Sequence, residues 1–314
     1  MSLPLHSQDP DFDYSRFLRE LPGLGVTHVL VIVQFHQRDA ASAAPARHPL
    51  KTPSDAVVLG ALRYARALKL EAALMPILAL EQPGRDWRGN IAPRGHDGRL
   101  DWGTWFAAYG RVMTHYARLA QRGGATLFSV GSELSSTEGE HARWSALVRE
   151  VRQVFTGELT YSANWDHFQH VKVWRELDYI GLSGYYELAS SATPRPAELR
   201  ASWIGVRERL LRWRADQRLE DRPLLFTELG YASLDGCAQK PWDYIPRDRR
   251  VDLLEQRDCY QAFVEAWQGQ RALAGVYFYE WWGEGGREDR GYTPRGKPAI
   301  EVLRAWFGGP RRAR

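Results

Sequence analysis

Two glutamates close stretches of the same kind. Leu127-Phe128-Ser129-Val130-Gly131-Ser132 runs into Glu133, and Leu224-Leu225-Phe226-Thr227 runs into Glu228. In the first, Phe128 and Val130 alternate with Ser129 and Gly131, which predicts a strand with one apolar face and one inward face of very small side chains. An acid at the C-terminal tip of such a strand is where a parallel barrel delivers a reacting group. The other predicted strand tips carry Gln34, Glu81, Asn164-Trp165-Asp166, Tyr185-Tyr186-Glu187 and Glu280-Trp281-Trp282. This set of acids, amides and aromatics contains no His triad, no Cys nucleophile and no carboxylate–His cluster, so neither a metal nor a cofactor is expected. Paired acids beside aromatic platforms suit cleavage of a glycosidic bond. One carboxyl protonates the leaving oxygen while the other attacks the anomeric carbon or activates water.

The spacing of the two acids can be checked against a barrel. Eight strands about 4.8 Å apart and tilted about 36° give a ring of about 7–8 Å radius. Strands four and seven then stand about 14 Å apart, and two inward Glu side chains leave roughly 6 Å between carboxyls. Retention needs about 5–5.5 Å and inversion about 6.5–9.5 Å, so the geometry admits a working pair and leaves the stereochemistry open.

The elements that would position these residues alternate along the chain. Strands are predicted at Leu3–His6, Val26–Gln34, Ala72–Leu80, Leu127–Glu133, Leu159–Trp165, Tyr179–Tyr185, Pro223–Glu228 and Leu273–Trp281. Helices are predicted from Asp11 to Leu24, from the Thr52-Pro53-Ser54-Asp55 start through Leu68, and over Trp102–Ala120 and Trp144–Phe155. A short one at Val171–Leu177, a long one around Trp203–Trp213, Val251–Trp267 and Lys297–Phe307 complete the set. Eight strands alternating with eight helices give an α/β chain, a single (β/α)8 TIM barrel over residues 1–314. An open doubly wound sheet is the other arrangement of such a pattern, but no Gly-rich phosphate turn follows the first strand.

Composition narrows the class further. Lys and Arg number 42 against 38 Asp and Glu, a formal net charge of +4, and the basic end Arg311-Arg312-Ala313-Arg314 reads as a solvated terminus rather than a nucleic-acid arm. No stretch approaches a membrane span, and Met1-Ser2-Leu3-Pro4-Leu5-His6 shows no signal peptide, so a cytoplasmic location is expected, or a secreted one if a leader has been removed. Cys237 and Cys259 allow one disulfide but no framework. The oligomeric state leaves no mark in the sequence. Thirteen Trp residues are the compositional outlier: Trp at loop tips suits a sugar-stacking cleft, although Trp is also ordinary packing material.

Several motifs together resemble glycoside hydrolase family 113. They are Val130-Gly131-Ser132-Glu133-Leu134, Tyr161-Ser162-Ala163-Asn164-Trp165, Phe226-Thr227-Glu228-Leu229-Gly230-Tyr231, Trp281-Trp282-Gly283-Glu284-Gly285-Gly286 and Tyr292-Thr293-Pro294-Arg295-Gly296-Lys297-Pro298. The likeness runs from about Asp11 to the end. It implies a β-mannanase-like member of the large clan of retaining barrels, with Glu133 as acid/base, Glu228 as nucleophile and a cleft for β-1,4-linked mannose units. Many members of that clan place Asn just before the acid/base to hold the sugar 2-hydroxyl. Ser132 stands there instead, so the 2-hydroxyl contact must come from elsewhere.

Trp87, Arg88, Asn90, Asn164, Trp165, Tyr185, Trp281 and Trp282 are the expected substrate contacts. Trp281 is expected as a platform for the C–H face of a pyranose, Asn164 as a hydroxyl binder, and Tyr185 as an inward group able to hydrogen-bond Glu228. Arg88 could hold a loop carboxylate instead of a sugar. Inward Tyr277, Tyr279 and Trp281 would turn Glu280 outward into a structural ion pair. The partner expected is an oligo- or polysaccharide. The alternatives are a carbohydrate-binding or exopolysaccharide-processing barrel with little hydrolysis, and a metal-dependent deacetylase, which lacks the His pairs it would need.

Overall fold

The computed structural model describes residues 1–7, 9, 12–243 and 248–308. The Arg311–Arg314 tail and the expected helix start at Asp11 lie outside them. Eight parallel strands pair in chain order: β1 (Ser2–Pro4), β2 (His28–Gln37), β3 (Glu71–Leu80), β4 (Leu127–Ser132), β5 (Glu158–Asn164), β6 (Ile180–Ser183), β7 (Leu224–Leu229) and β8 (Leu273–Phe278). Just past β8, the Trp281 amide donates to the Ser2 carbonyl, joining the two edges of the sheet. The result is a nearly closed (β/α)8 barrel.

Seven α-helices wrap it: α1 (Ser15–Glu20), α2 (Asp55–Ala67), α3 (Trp102–Gly123), α4 (His141–Arg152), α5 (Pro196–Asp216), α6 (Leu253–Trp267) and α7 (Ala299–Gly308). The helix expected at Val171–Leu177 is only a 3-10 turn, Trp174–Glu176, so β5 and β6 are joined without a helix. Among the described residues no helix is long and apolar enough to cross a membrane. The helix starts follow side-chain chemistry. Ser54, Asp101 and Asp252 each accept a backbone N–H of the first turn of α2, α3 and α6, an arrangement contributing about 1 kcal/mol apiece.

Two apolar layers hold the barrel. Leu30, Ile32, Ala73, Met75, Ile77, Leu127, Leu225 and Tyr277 fill its interior. The larger layer lies between sheet and helices, where Trp105, Trp203 and Trp267 are almost wholly buried. Each such indole removes about 150–250 Å² from water, a gain of about 4–6 kcal/mol before the cost of ordering. Cys237 and Cys259 are buried free thiols, not a disulfide.

The expectation that Gly131 shares an inward face with Ser129 is corrected. The β4–β5 register shifts between Ser129 and Ser132. A Cβ on Gly131 would strike Tyr161, Trp144 and the Tyr109 hydroxyl at 2.8–3.0 Å, so this glycine faces the helix layer. A second shift lies between β6 and β7, where Leu182 pairs with Phe226 but Ser183 pairs with Glu228. Each acid-bearing strand thus carries a bulge just before its acid, a device that re-aims a side chain beside a site.

Candidate active site

Glu133 follows β4 directly and is held in the left-handed region at φ 53°, which a non-glycine residue adopts at a cost of roughly 1–2 kcal/mol. Its neighbours keep it there. The Glu133 amide donates to the Ser162 carbonyl at 2.8 Å, and the Leu134 amide donates to the Tyr161 hydroxyl at 2.9 Å. Tyr161 in turn donates to Glu138 at 3.1 Å, and His167 bonds the other Glu138 oxygen at 3.3 Å. Burial pushes Glu138 up to about 7, with His167 and Tyr161 opposing the shift.

The Glu133 carboxyl accepts from two side chains, Arg88 at Oε2 and Ser183 at Oε1, each at 2.5 Å. Arg88 also donates from Nε to the Ser132 carbonyl at 3.2 Å. The 3-10 turn Arg88–Asn90 presents this guanidinium from the loop after β3. At Gly89 a side chain would collide with the Trp87 ring at 2.2 Å, so glycine lets Trp87 fold over the turn. Burial disfavours the Arg88 charge, but Glu133 and Glu228 together hold it above its ordinary value.

Glu228 lies within β7 and is 5% exposed. The Tyr185 hydroxyl donates to its Oε2 at 2.9 Å, while Oε1 has no hydrogen-bond partner among the described residues. Burial, then the Glu133 charge, push Glu228 up to about 7, against the pull of Arg88 and Tyr185. Behind it, Tyr185, Tyr279 and Tyr292 form an edge-on aromatic cluster with centroids 5.3–6.5 Å apart. Burial, and then Glu228, raise Tyr185 far above its ordinary value, so it remains a hydroxyl donor.

Ser183 links the two acids: it donates to Glu133 and is the strand partner of Glu228. One inter-strand spacing of about 4.8 Å and one hydrogen bond therefore separate the Glu228 backbone from the Glu133 carboxyl. Both acids and Arg88 face one small volume at the C-terminal mouth of the barrel, where such folds place their chemistry.

The expected contacts divide. Arg88 and Tyr185 touch the acid pair directly, and Arg88 holds the Glu133 carboxyl itself, not a carboxylate of its own loop. Asn164, at the end of β5, accepts from the Trp165 amide, and the Trp165 ring packs beside Tyr185 and Tyr292. Trp87 and Asn90 are exposed on the β3 loop. Trp281 and Trp282 must be corrected. β8 ends at Phe278, so strand alternation does not carry through to Trp281. Tyr277 and Tyr279 pack in the barrel interior, whereas Trp281 lies in the outer layer, 3% exposed, with Arg295 over its ring. It lines a cavity of about 970 Å³ beside α1 and α7, to which neither acid contributes. Trp282 is enclosed by Phe12, Tyr14 and Phe17. Both indoles pack with the outer layer, not among the residues that touch the acid pair.

Glu280 is not in an ion pair among those the described residues form. Burial pushes it up to about 7, and its charge reaches Glu228. Lys297, whose charge acts on Glu280, is fully buried and bonds Ser233, Asp289 and the Gly291 carbonyl, tying the β7 and β8 loops together. Residues missed in the sequence are Ser183, Tyr161, Glu138 and Tyr279. Ser183 had a signal, since it sits on the small inward face of β6.

Comparison with known proteins follows the same lines. The family model described as Glycoside Hydrolase Family 113 matches residues 13–297. A search of the curated proteins returned no match. Among solved structures, the β-mannanase AaManA of this family from Alicyclobacillus acidocaldarius, in complex with ManMIm, superposes with a TM-score of 0.86 at 28% identity, over 98% of this chain and 96% of that one. A complex of a β-1,4-mannanase of the family gives 0.86 at 25% identity, over 99% and 98%. A family 2 β-galacturonidase from Eisenbergiella tayi shares the fold alone, at 12% identity and TM-score 0.61, over 98% of this chain and half of its own. The paired acids at the mouth of the barrel and the match over nearly the whole length agree: the chain belongs to glycoside hydrolase family 113 and is a glycosidase.

Proposed function

We propose that the protein hydrolyses β-1,4-linked mannose chains with retention of configuration, using Glu133 as acid/base and Glu228 as nucleophile. The observation that supports this reading is that Ser183, which donates to the Glu133 carboxyl, is the strand partner of Glu228, with the charges of both acids acting on Arg88. Its solved relatives in the family include β-1,4-mannanases.

In the first step a Glu228 oxygen attacks the anomeric carbon, and Glu133 gives its proton to the departing oxygen. The unpartnered Oε1 of Glu228 is the atom free to attack, since Tyr185 occupies Oε2. In the second step Glu133 takes a proton from water, which attacks the same carbon and releases Glu228. Arg88 and Ser183 both donate to the Glu133 carboxyl, while burial and the Glu133 charge push Glu228 towards its protonated form. For Glu133 to protonate the departing oxygen, substrate entry must draw Arg88 off its Oε2. A sugar 2-hydroxyl could accept the freed guanidinium, a contact that Ser132 is too short to make.

A screen against mannan, glucomannan, xylan, β-glucan and bacterial exopolysaccharides, with product sizes and the first-formed anomer read by NMR, tests this. The expected result is preferential mannan cleavage with β-anomers released first. Release of α-anomers would overturn retention, and preference for another polymer would overturn the mannose assignment.

A further inference from the structure

Two further tryptophans form an open platform where Trp281 and Trp282 do not. Trp165, immediately after β5, and Trp242, on the loop after β7, stack with centroids 5.6 Å apart and planes 20° apart. The stack continues into the site: Trp165 packs against the buried cluster of Tyr185, Ala232, Leu234 and Tyr292, and Tyr185 donates to Glu228. Trp165 also makes an edge contact with Tyr186, at 5.5 Å and 62°. Trp242 is 40% exposed.

This exposure is constructed. The preceding Pro241 carbonyl accepts from the Tyr292 hydroxyl at 2.6 Å, the Asp243 amide donates to the Lys240 carbonyl at 3.0 Å, and Arg249 pairs with Asp243 at 3.6 Å. A single exposed apolar side chain needs no explanation. A stacked pair whose loop is pinned by these bonds and which continues through Tyr185 to Glu228 does, because a flat indole face matches the C–H face of a pyranose ring.

We propose that the Trp165–Trp242 stack is a sugar subsite on the leaving-group side, where the outer face of Trp242 carries a pyranose unit of the portion that departs after protonation by Glu133. This rests on the glycosidase reading above. The side follows from connectivity. The Ser162 carbonyl of β5 holds the Glu133 amide, and Trp165 follows directly on that strand, so the platform is fixed to the element that seats the acid. The substrate implied is a chain long enough to extend past the cleaved bond, not a terminal disaccharide alone.

The test uses the full-length protein carrying Glu228→Gln, which binds without turnover. Titration calorimetry compares mannobiose with the β-1,4-linked hexaoses of mannose, glucose and xylose, with and without Trp242→Ala. The hexaose-to-biose affinity ratio should fall about tenfold, and Trp242→Phe should restore most of it, which excludes misfolding as the cause. An unaltered ratio, or an equal loss for biose and hexaose, overturns the subsite. A tenfold fall seen only with glucose or xylose chains keeps the subsite and overturns the mannose reading instead. The side is read with Glu228 restored, from the partition of an aryl β-glycoside between hydrolysis and transfer to an added disaccharide acceptor. Trp242→Ala should lower the transfer-to-hydrolysis ratio several-fold, and an unchanged ratio overturns the leaving-group assignment.

Discussion

The tips of β4 and β7 each end in a buried glutamate, yet the two are supported in opposite ways. Glu133 sits outside its strand in a strained left-handed conformation and accepts from a guanidinium and a hydroxyl. Glu228 sits inside its strand in ordinary extended backbone, with one hydroxyl on one oxygen and no partner on the other. The first carboxyl is held by donors and the second is left short of them. A group that must exchange a proton twice per cycle needs a setting that can be rearranged, and a loop arginine provides one. A group that must attack needs a fixed position and a bare oxygen. The contrast teaches that identical side chains on matching strand tips are assigned different work by what surrounds them.

The largest effect should come from deleting the bare acid. Glu228→Ala should reduce turnover by about 10⁴-fold or more, and added azide should restore it as a glycosyl azide of inverted configuration. Azide rescue of Glu133→Ala should instead give a retained product, and the reverse pattern would exchange the two roles. Removing the arginine comes next. Arg88→Ala should lower kcat/KM about 10²-fold, in the range seen when a preorganised charge is lost, and should alter the acidic limb of the pH–rate profile. A fall in stability alone, with kcat/KM intact, would reduce Arg88 to a structural clamp.

Stability should show the same asymmetry. Glu228 is raised from an ordinary value of 4.5 to about 7 in the folded protein, so between those values the folded state binds more proton than the unfolded one. Its contribution is therefore present below about pH 4.5 and turns into a penalty as pH rises towards 7. Glu228→Gln should remove that penalty and stabilise the protein by roughly 2–3 kcal/mol at pH 8 relative to its effect at pH 4.5. Urea midpoints at the two pH values would measure it. Glu133→Gln should show no such gain, because it leaves Arg88 buried without its hydrogen-bonded counter-charge. The smallest effect is expected from Tyr185→Phe, a loss of about tenfold in kcat with KM little changed, since the hydroxyl positions Oε2 but does not react.

Much of this arrangement was legible in the sequence. Alternation of apolar runs with capped helical segments gives the barrel, and two acids at matching strand tips mark the mouth. Tyr185 was placed by parity and does reach Glu228. What could not be read were events set by a neighbouring strand or a loop. Gly131 faces the helices because β4 changes register against β5, and nothing in residues 127–133 alone records that shift. Trp281 was expected inward by continuing the β8 alternation past Phe278, where the strand ends. The reach of Arg88 to Glu133 spans 45 residues and depends on a turn whose shape is fixed by Trp87 lying over Gly89.

The bulges in β4 and β7 separate each strand into two lengths that answer to different demands. Below the bulge, alternation must satisfy the packed floor of the barrel, and above it an offset of one residue decides what looks into the mouth. Drift in the floor, such as exchange of Leu127 or Leu225 for another apolar residue, can then proceed without turning either acid away. Loss of a single residue between Ser129 and Ser132 would do the opposite, leaving the floor intact while swinging Glu133 towards the helices. The chemistry of this barrel is thereby insulated from substitution in its core and exposed to changes of length.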